Sequence, residues 1–193
     1  LMIPDGVSDE LAVLAEPASI AVHAIRNSKF KIGDSAVVMG AGPIGLLTMQ
    51  VLNAGGASAV YVSEPAPARA EAARVLGATL VIDPVNEDAV ARVLELSGGP
   101  GVPIAFDAAA AKQTFQQGLE MVRRNGQLLL ISMAWEDVDL QTVDWIGREV
   151  EMKASYGSAP NDWQTVLNLM ERGQLSEKSM ITDDSFIGWD EMQ

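Results

Sequence analysis

Gly40, Gly42 and Gly45 fall where a short apolar run, residues 35–39, gives way to a helical pattern. The run has the length and unbroken apolarity of a buried parallel strand. Pro43 stands where a helix takes its first residue, and Ile44, Leu47, Val51 and Leu52 recur at helical spacing until Gly55 and Gly56. The glycines therefore fill a G-x-G-x-x-G between strand and helix, a turn whose exposed helix N–H groups and dipole favour a pyrophosphate. In such a turn Gly40 lets the chain reverse, Gly42 lets phosphate oxygens reach the backbone, and Gly45 lets helix and strand pack closely.

The rest of the chain repeats that strand-to-helix step. Apolar runs predict strands at 35–39, 59–63, 79–82, 103–107, 126–132 and 149–154. Amphipathic patterns predict helices at 17–27, 43–54, 67–76, 86–96, 111–123, 141–146 and 161–172. Right-handed crossovers would set these strands in one sheet, an α/β fold of Rossmann type, doubly wound and parallel with helices on both faces. Residues 1–16 and the chain after Gly157 stand outside the alternation, and neither carries the periodicity of a core of its own. They are expected to pack against something else. Trp163, Val166, Leu167 and Met170 mark one helix face there, and Phe186, Ile187 and Trp189 near the end point to a longer protein.

The second strand ends on Glu64, roughly 20 positions beyond the last glycine, the spacing of a carboxylate that accepts hydrogen bonds from adenosine ribose hydroxyls. A carboxylate there repels the 2′-phosphate of NADP, so the residues favour NAD. Arg69 is open to four readings: a partner for Glu64, a stack on adenine, a phosphate ligand, or simply an exposed arginine in the first turns of a helix. A methyltransferase also joins a glycine loop to an acid after the second strand. It usually carries an acid in the first strand as well, and residues 36–39 have none.

Charge and composition exclude other classes. A net charge of −13 repels nucleic acid and anionic membranes. No apolar stretch approaches the roughly 20 residues of a membrane span, and no signal peptide is visible, so the expected location is cytoplasmic. With no cysteine and His23 as the single histidine, the chain offers no zinc ligand set of its own.

Lys31-x-Gly33-Asp34-x-x-Val37-x-x-Gly40-Ala-Gly42-Pro-Ile-Gly45 resembles the medium-chain dehydrogenase/reductase family, the zinc-dependent alcohol and polyol dehydrogenases. Glu16-Pro17 with Ala21-Val22-His23-Ala24 is similar to the sorbitol, butanediol and threonine dehydrogenases. Ser63-Glu64-Pro65 with Arg69 and Leu76-Gly77-Ala78 most resembles butanediol dehydrogenase, and Asp107-Ala108-Ala109, Arg124-x-Gly126 and Gly173 continue the match. The resemblance implies hydride transfer between NAD and a secondary alcohol, diol or ketone, with zinc polarising the oxygen. The family's zinc ligands lie in a catalytic domain absent from this sequence. By this reading residues 1–16 are the remnant of a connection to that domain, 17–157 are the NAD-binding domain, and 158–193 are a helix and part of the return segment.

The resemblance also implies site residues. Ile44 would contact the pyrophosphate turn with Gly40, Gly42, Pro43 and Gly45, while Glu64 and Arg69 meet the adenosine and Ile131, Ser132 and Met133 the nicotinamide ribose. Tyr156-Gly157-Ser158 falls where sorbitol dehydrogenases carry an arginine near the substrate, and its absence favours a smaller or less polar alcohol. Glu16 would sit at the zinc edge as a transient ligand or proton relay, although an exposed acid before Pro17 fits the residues alone. His23 is expected to hydrogen-bond locally, Asp83-Pro84 to form a turn, and the methionines, Trp135, Trp145 and Trp163 to serve core or interface. The family's habit of pairing last strands implies a homo-oligomer through residues 149–154, with Val150 and Met152 on one face. The alternatives are a stand-alone dinucleotide-binding module without catalysis and a zinc-independent quinone reductase.

Overall fold

The computed structural model describes residues 2–181. Its strands are β1 (Ser35–Met39), β2 (Ala59–Ser63), β3 (Leu80–Ile82), β4 (Val102–Asp107), β5 (Val122–Leu130) and β6 (Glu151–Ala154). All pair in parallel in the order β3-β2-β1-β4-β5-β6. The chain reverses direction across the sheet between β1 and β4, the switch point at which open α/β sheets bind ligands. The helices are α1 (Asp9–Ala12), α2 (Ala15–Arg26), α3 (Pro43–Ala54), α4 (Pro67–Val75), α5 (Ala89–Leu96), α6 (Lys112–Met121), α7 (Thr142–Arg148) and α8 (Pro160–Glu171).

α3 is apolar nearly all round because it is covered on both sides. Leu46, Met49 and Leu52 pack onto β1, β2 and β4, while Leu47 and Val51 face α2 and α8. On the opposite face of the sheet Val37, Met39, Ala105 and Leu128 pack with Val93 of α5 and Leu119 of α6.

The segment before α2 departs from expectation. Val7, Leu11 and Leu14 are buried in the same cluster as Val166, Leu167 and Met170 of α8, so the two outlying segments pack on each other and on α3. The apolar spacing of α2 simply extends backwards through α1, whose first turn is held by Ser8 Oγ accepting from Leu11 N–H at 3.2 Å. Phe186, Ile187 and Trp189 lie outside the described residues. Trp145 and Trp163 are partly buried against the core, whereas Trp135 is 90% exposed and belongs to no core cluster.

A buried acid fastens α2 to α8. Asp162 accepts from Ala159 N–H at 2.7 Å, His23 Nδ1 at 2.8 Å and an Arg26 guanidinium nitrogen at 2.6 Å. With Nδ1 donating, His23 Nε2 accepts from Asn27 at 2.9 Å, so the sole histidine hydrogen-bonds locally. Burial works to raise the Asp162 pKa, but the three donors outweigh it and hold the carboxyl below its ordinary value.

The element starts that differ most are those of α5 and β5. α5 starts at Ala89 because Asp88 caps it, accepting from Val90 N–H at 3.0 Å and Ala91 N–H at 3.1 Å. β5 begins at Val122, earlier than its apolar run, because the chain leaves α6 already extended.

Candidate functional site

Strand register sets the site. One row across the sheet runs Ile82, Ser63, Met39, Asp107, Leu130, Ala154. The ladder continues one residue further: Glu64, Gly40, Ala108, Ile131 and Ser155 each donate a backbone N–H to a neighbour in that row, at 2.8–3.1 Å. Residues scattered over more than ninety positions thus meet at the carboxyl edge of the sheet.

The glycine turn occupies the centre of that edge. Gly40 has φ +92, where an L side chain is strained, and an added Cβ would stand 3.1 Å from Ala109. At Gly45 a Cβ would lie 2.0 Å from the Gly40 carbonyl oxygen, so α3 can start against β1 only without a side chain there. Gly42, the N-cap residue of α3, has ordinary extended backbone, and a Cβ on it would meet no protein atom within 4 Å. Neither fold nor packing requires that glycine. What it preserves is open space over the first N–H groups of α3, the geometry in which a helix end takes an anion.

Glu64 does more than the sequence suggests. Its side chain is buried, with Oε2 accepting from Ala41 N–H at 2.7 Å and Oε1 from Ala66 N–H at 2.8 Å. The carboxylate ties the end of β2 to the glycine turn and to the N-cap of α4. Each oxygen keeps a further lone pair for a ligand hydroxyl. Arg69 is exposed and does not pair with Glu64, whose charge is directed inward to the backbone.

Two cavities flank a ridge formed by residues 108–111. A cavity of about 430 Å³ is lined by Gly40, Gly42, Glu64, Arg69, Val85 and Gln113, among others. A second of about 470 Å³ lies beyond the ridge, bounded by Met133, Trp135 and Lys112. The structure therefore brings Gly40, Gly42, Glu64 and Arg69 together, while Pro43, Ile44 and Gly45 form the turn beside them. Ile131 and Ser132 are fixed to Asp107, whose carbonyl oxygen accepts Ile131 N–H at 3.0 Å and Ser132 Oγ–H at 2.9 Å. Tyr156 is exposed past the end of β6 and Glu16 in the first turn of α2; neither lines these two cavities.

Sequence reasoning missed three contributors. Trp135, expected in core or interface, lies outside the core and walls the second cavity. Ser155 Oγ is buried with no hydrogen-bond partner, a polar atom left unsatisfied at the carboxyl edge of the sheet. Asp107 is fully buried and accepts from Ala109 N–H at 2.9 Å and Ala110 N–H at 3.1 Å. Burial pushes its carboxyl above the ordinary value, against the pull of those N–H groups and of Thr114. Among the described residues no three His, Cys, Asp or Glu side chains gather as a metal site.

The family model described as zinc-binding dehydrogenase matches residues 43–172. (R,R)-Butanediol dehydrogenase of Bacillus subtilis is 34% identical over 180 residues, covering 93% of this chain and 51% of that protein. Sorbitol dehydrogenase of the same organism is 30% identical over 183 residues, covering 94% of this chain and 52% of that protein. The crystal structure of 2R,3R-butanediol dehydrogenase from Bacillus subtilis superposes with a TM-score of 0.88 at 34% identity, over 94% of this chain and 52% of that one. The chain spans about half the length of the curated relatives it matches. The chain belongs to the zinc-binding dehydrogenase family, corresponding to the cofactor-binding half of those proteins.

Proposed function

We propose that this chain seats NAD(H) across the glycine turn for a dehydrogenase that oxidises a secondary alcohol or diol, or reduces the ketone. The observation that carries the reading is Gly42: a residue needed neither for backbone conformation nor for packing, open above the N-terminus of α3. The pyrophosphate takes the α3 N–H groups, the adenosine fills the cavity of Glu64 and Arg69, and the nicotinamide end crosses the ridge toward Ile131, Ser132, Met133 and Tyr156. Bound there, the nicotinamide supplies hydride transfer. Glu64 favours NAD over NADP, because its carboxylate would stand against a 2′-phosphate.

Zinc fits no cluster of side chains among the described residues, so no step through the metal is assigned to them. In this reading its ligands come from parts of the protein beyond residues 1–193, and Glu16 lies at the edge that faces them. Residues 1–16 and 158–193 are the connections to those parts, and 17–157 the NAD-binding domain. The substrate is a small alcohol or ketone rather than a nucleic acid or membrane lipid, and the working compartment is the cytoplasm.

The functional reading is tested by calorimetric titration with NADH and NADPH. NADH is expected to bind more tightly, and equal or tighter NADPH binding would overturn the assignment of Glu64. β6 is one of the two edge strands of the described sheet, and Val143 and Ile146 of α7, the helix before it, are exposed. A second copy is expected to pair along that edge, giving a dimer by sedimentation velocity; a monomer at tens of micromolar would contradict it.

A further inference from the structure

The ridge of residues 108–111 is the one element that both cavities share, with Ala109 and Ala111 facing each of them. It also packs against the glycine turn, since Ala109 is 3.1 Å from the Cβ position of Gly40 and Ala108 Cβ is 3.4 Å from that of Gly45. Yet the ridge is four alanines, with no side-chain polar group to fix its shape. One of them, Ala110, has φ +54, in the left-handed region that residues with a Cβ seldom occupy. Something outside the ridge must hold it there.

The geometry points to Asp107 as a positioning residue that shapes the ridge for the dinucleotide, an inference that rests on the NAD(H) reading above. Its Oδ1 accepts both Ala109 N–H at 2.9 Å and Ala110 N–H at 3.1 Å, closing a turn around the strained residue. Thr114 Oγ1 lies 3.2 Å from each Asp107 carboxyl oxygen and 2.8 Å from Ala111 O, so its single hydroxyl proton serves one of these acceptors at a time, and the far end of the ridge stands beside the same carboxylate. The main chain of Asp107 carries the other contacts: its carbonyl oxygen receives Ile131 N–H and Ser132 Oγ–H. One buried residue at the switch point thereby holds the ridge and the end of β5 in register with the glycine turn. No solvent reaches it, so its effect on a ligand passes entirely through the backbone it orients.

The test compares Asp107→Ala, Asp107→Asn and the double variant Asp107→Ala/Ala110→Gly by NADH fluorescence titration. Amide hydrogen exchange of Ala109 and Ala110 is read in the unliganded protein. Asparagine keeps the acceptor for both N–H groups and can donate to Thr114, so its NADH affinity should stay within about threefold of wild type. Alanine should weaken NADH binding roughly tenfold or more and deprotect both amides. Glycine at 110 takes the left-handed backbone unaided, and in the Asp107→Ala background it should restore part of the affinity, a rescue that a merely stabilising role for Asp107 would not give. Wild-type NADH binding that survives unchanged in Asp107→Ala would overturn the inference. So would unprotected Ala109 and Ala110 amides in the wild type, a result independent of how the variants fold. Failure of the wild type itself to bind NADH would instead overturn the functional reading.

Discussion

Gly45→Ala is expected to lose both stability and NADH binding, because its Cβ would approach backbone more closely than that of any other glycine among the described residues. The new Cβ would lie 2.0 Å from the Gly40 carbonyl oxygen and 3.0 Å from its carbon, both backbone atoms with no rotamer to change. α3 must then move off β1 or the turn must open. Overpacking of this kind costs about 1–3 kcal/mol. α3 also carries Leu46, Leu47, Met49 and Leu52 into the two clusters it joins, so a shift at its first turn disturbs both. A melting midpoint lowered by roughly 4–10 °C is the expected reading for a chain of this size. The control is Gly42→Ala, where the methyl meets no protein atom. There the fold should change by no more than about 1 kcal/mol, as for an ordinary N-cap replacement, while NADH binding falls sharply. Thermal melts paired with NADH titrations separate the two; a Gly42→Ala variant that binds NADH like the wild type would contradict the placement of the pyrophosphate.

Glu64→Ala should be nearly as damaging, and for two reasons that can be told apart. The first is structural: Ala41 N–H and Ala66 N–H lose their acceptor, and Ala41 is buried. A buried donor left unsatisfied costs about 1–3 kcal/mol. The second concerns the ligand, because ribose hydroxyls lose their acceptor while a 2′-phosphate loses a repulsive neighbour and keeps Arg69. NADH affinity should therefore fall by about tenfold or more while NADPH affinity falls less, narrowing the preference. Glu64→Gln isolates the second effect only in part, since its one amide oxygen can replace only one of the two acceptors and its NH₂ group accepts from neither N–H. Calorimetry with both cofactors on each variant checks this, and an unchanged NADH-to-NADPH ratio in Glu64→Ala would remove Glu64 as the discriminating residue.

The elements at the centre of the sheet were legible because their physics is local. Buried parallel strands leave unbroken apolar runs, and residues 35–39 and 59–63 have the limits found in β1 and β2. Pro43 and the glycines likewise marked the start of α3 to the residue. α1 was missed because four residues show no period, and Leu11 and Leu14 become intelligible only as a backward extension of α2. The role of Glu64 in holding the turn was hidden because its partners are backbone N–H groups, which every residue but proline has. Asp107 was hidden in the same way, behind four alanines whose sequence says nothing of left-handed backbone. That Trp135 lies outside the core was hidden because a large apolar side chain signals hydrophobicity and not the face on which it lies; here it stands exposed beside a cavity.

The most direct measurement is a crystal of this chain soaked with NADH. The pyrophosphate is predicted over Gly42 at the N-terminus of α3, with the adenosine ribose at Glu64 and the nicotinamide beyond the alanine ridge toward Ile131 and Met133. Cofactor density bound elsewhere, or a pyrophosphate out of hydrogen-bonding reach of the α3 N–H groups, would contradict it.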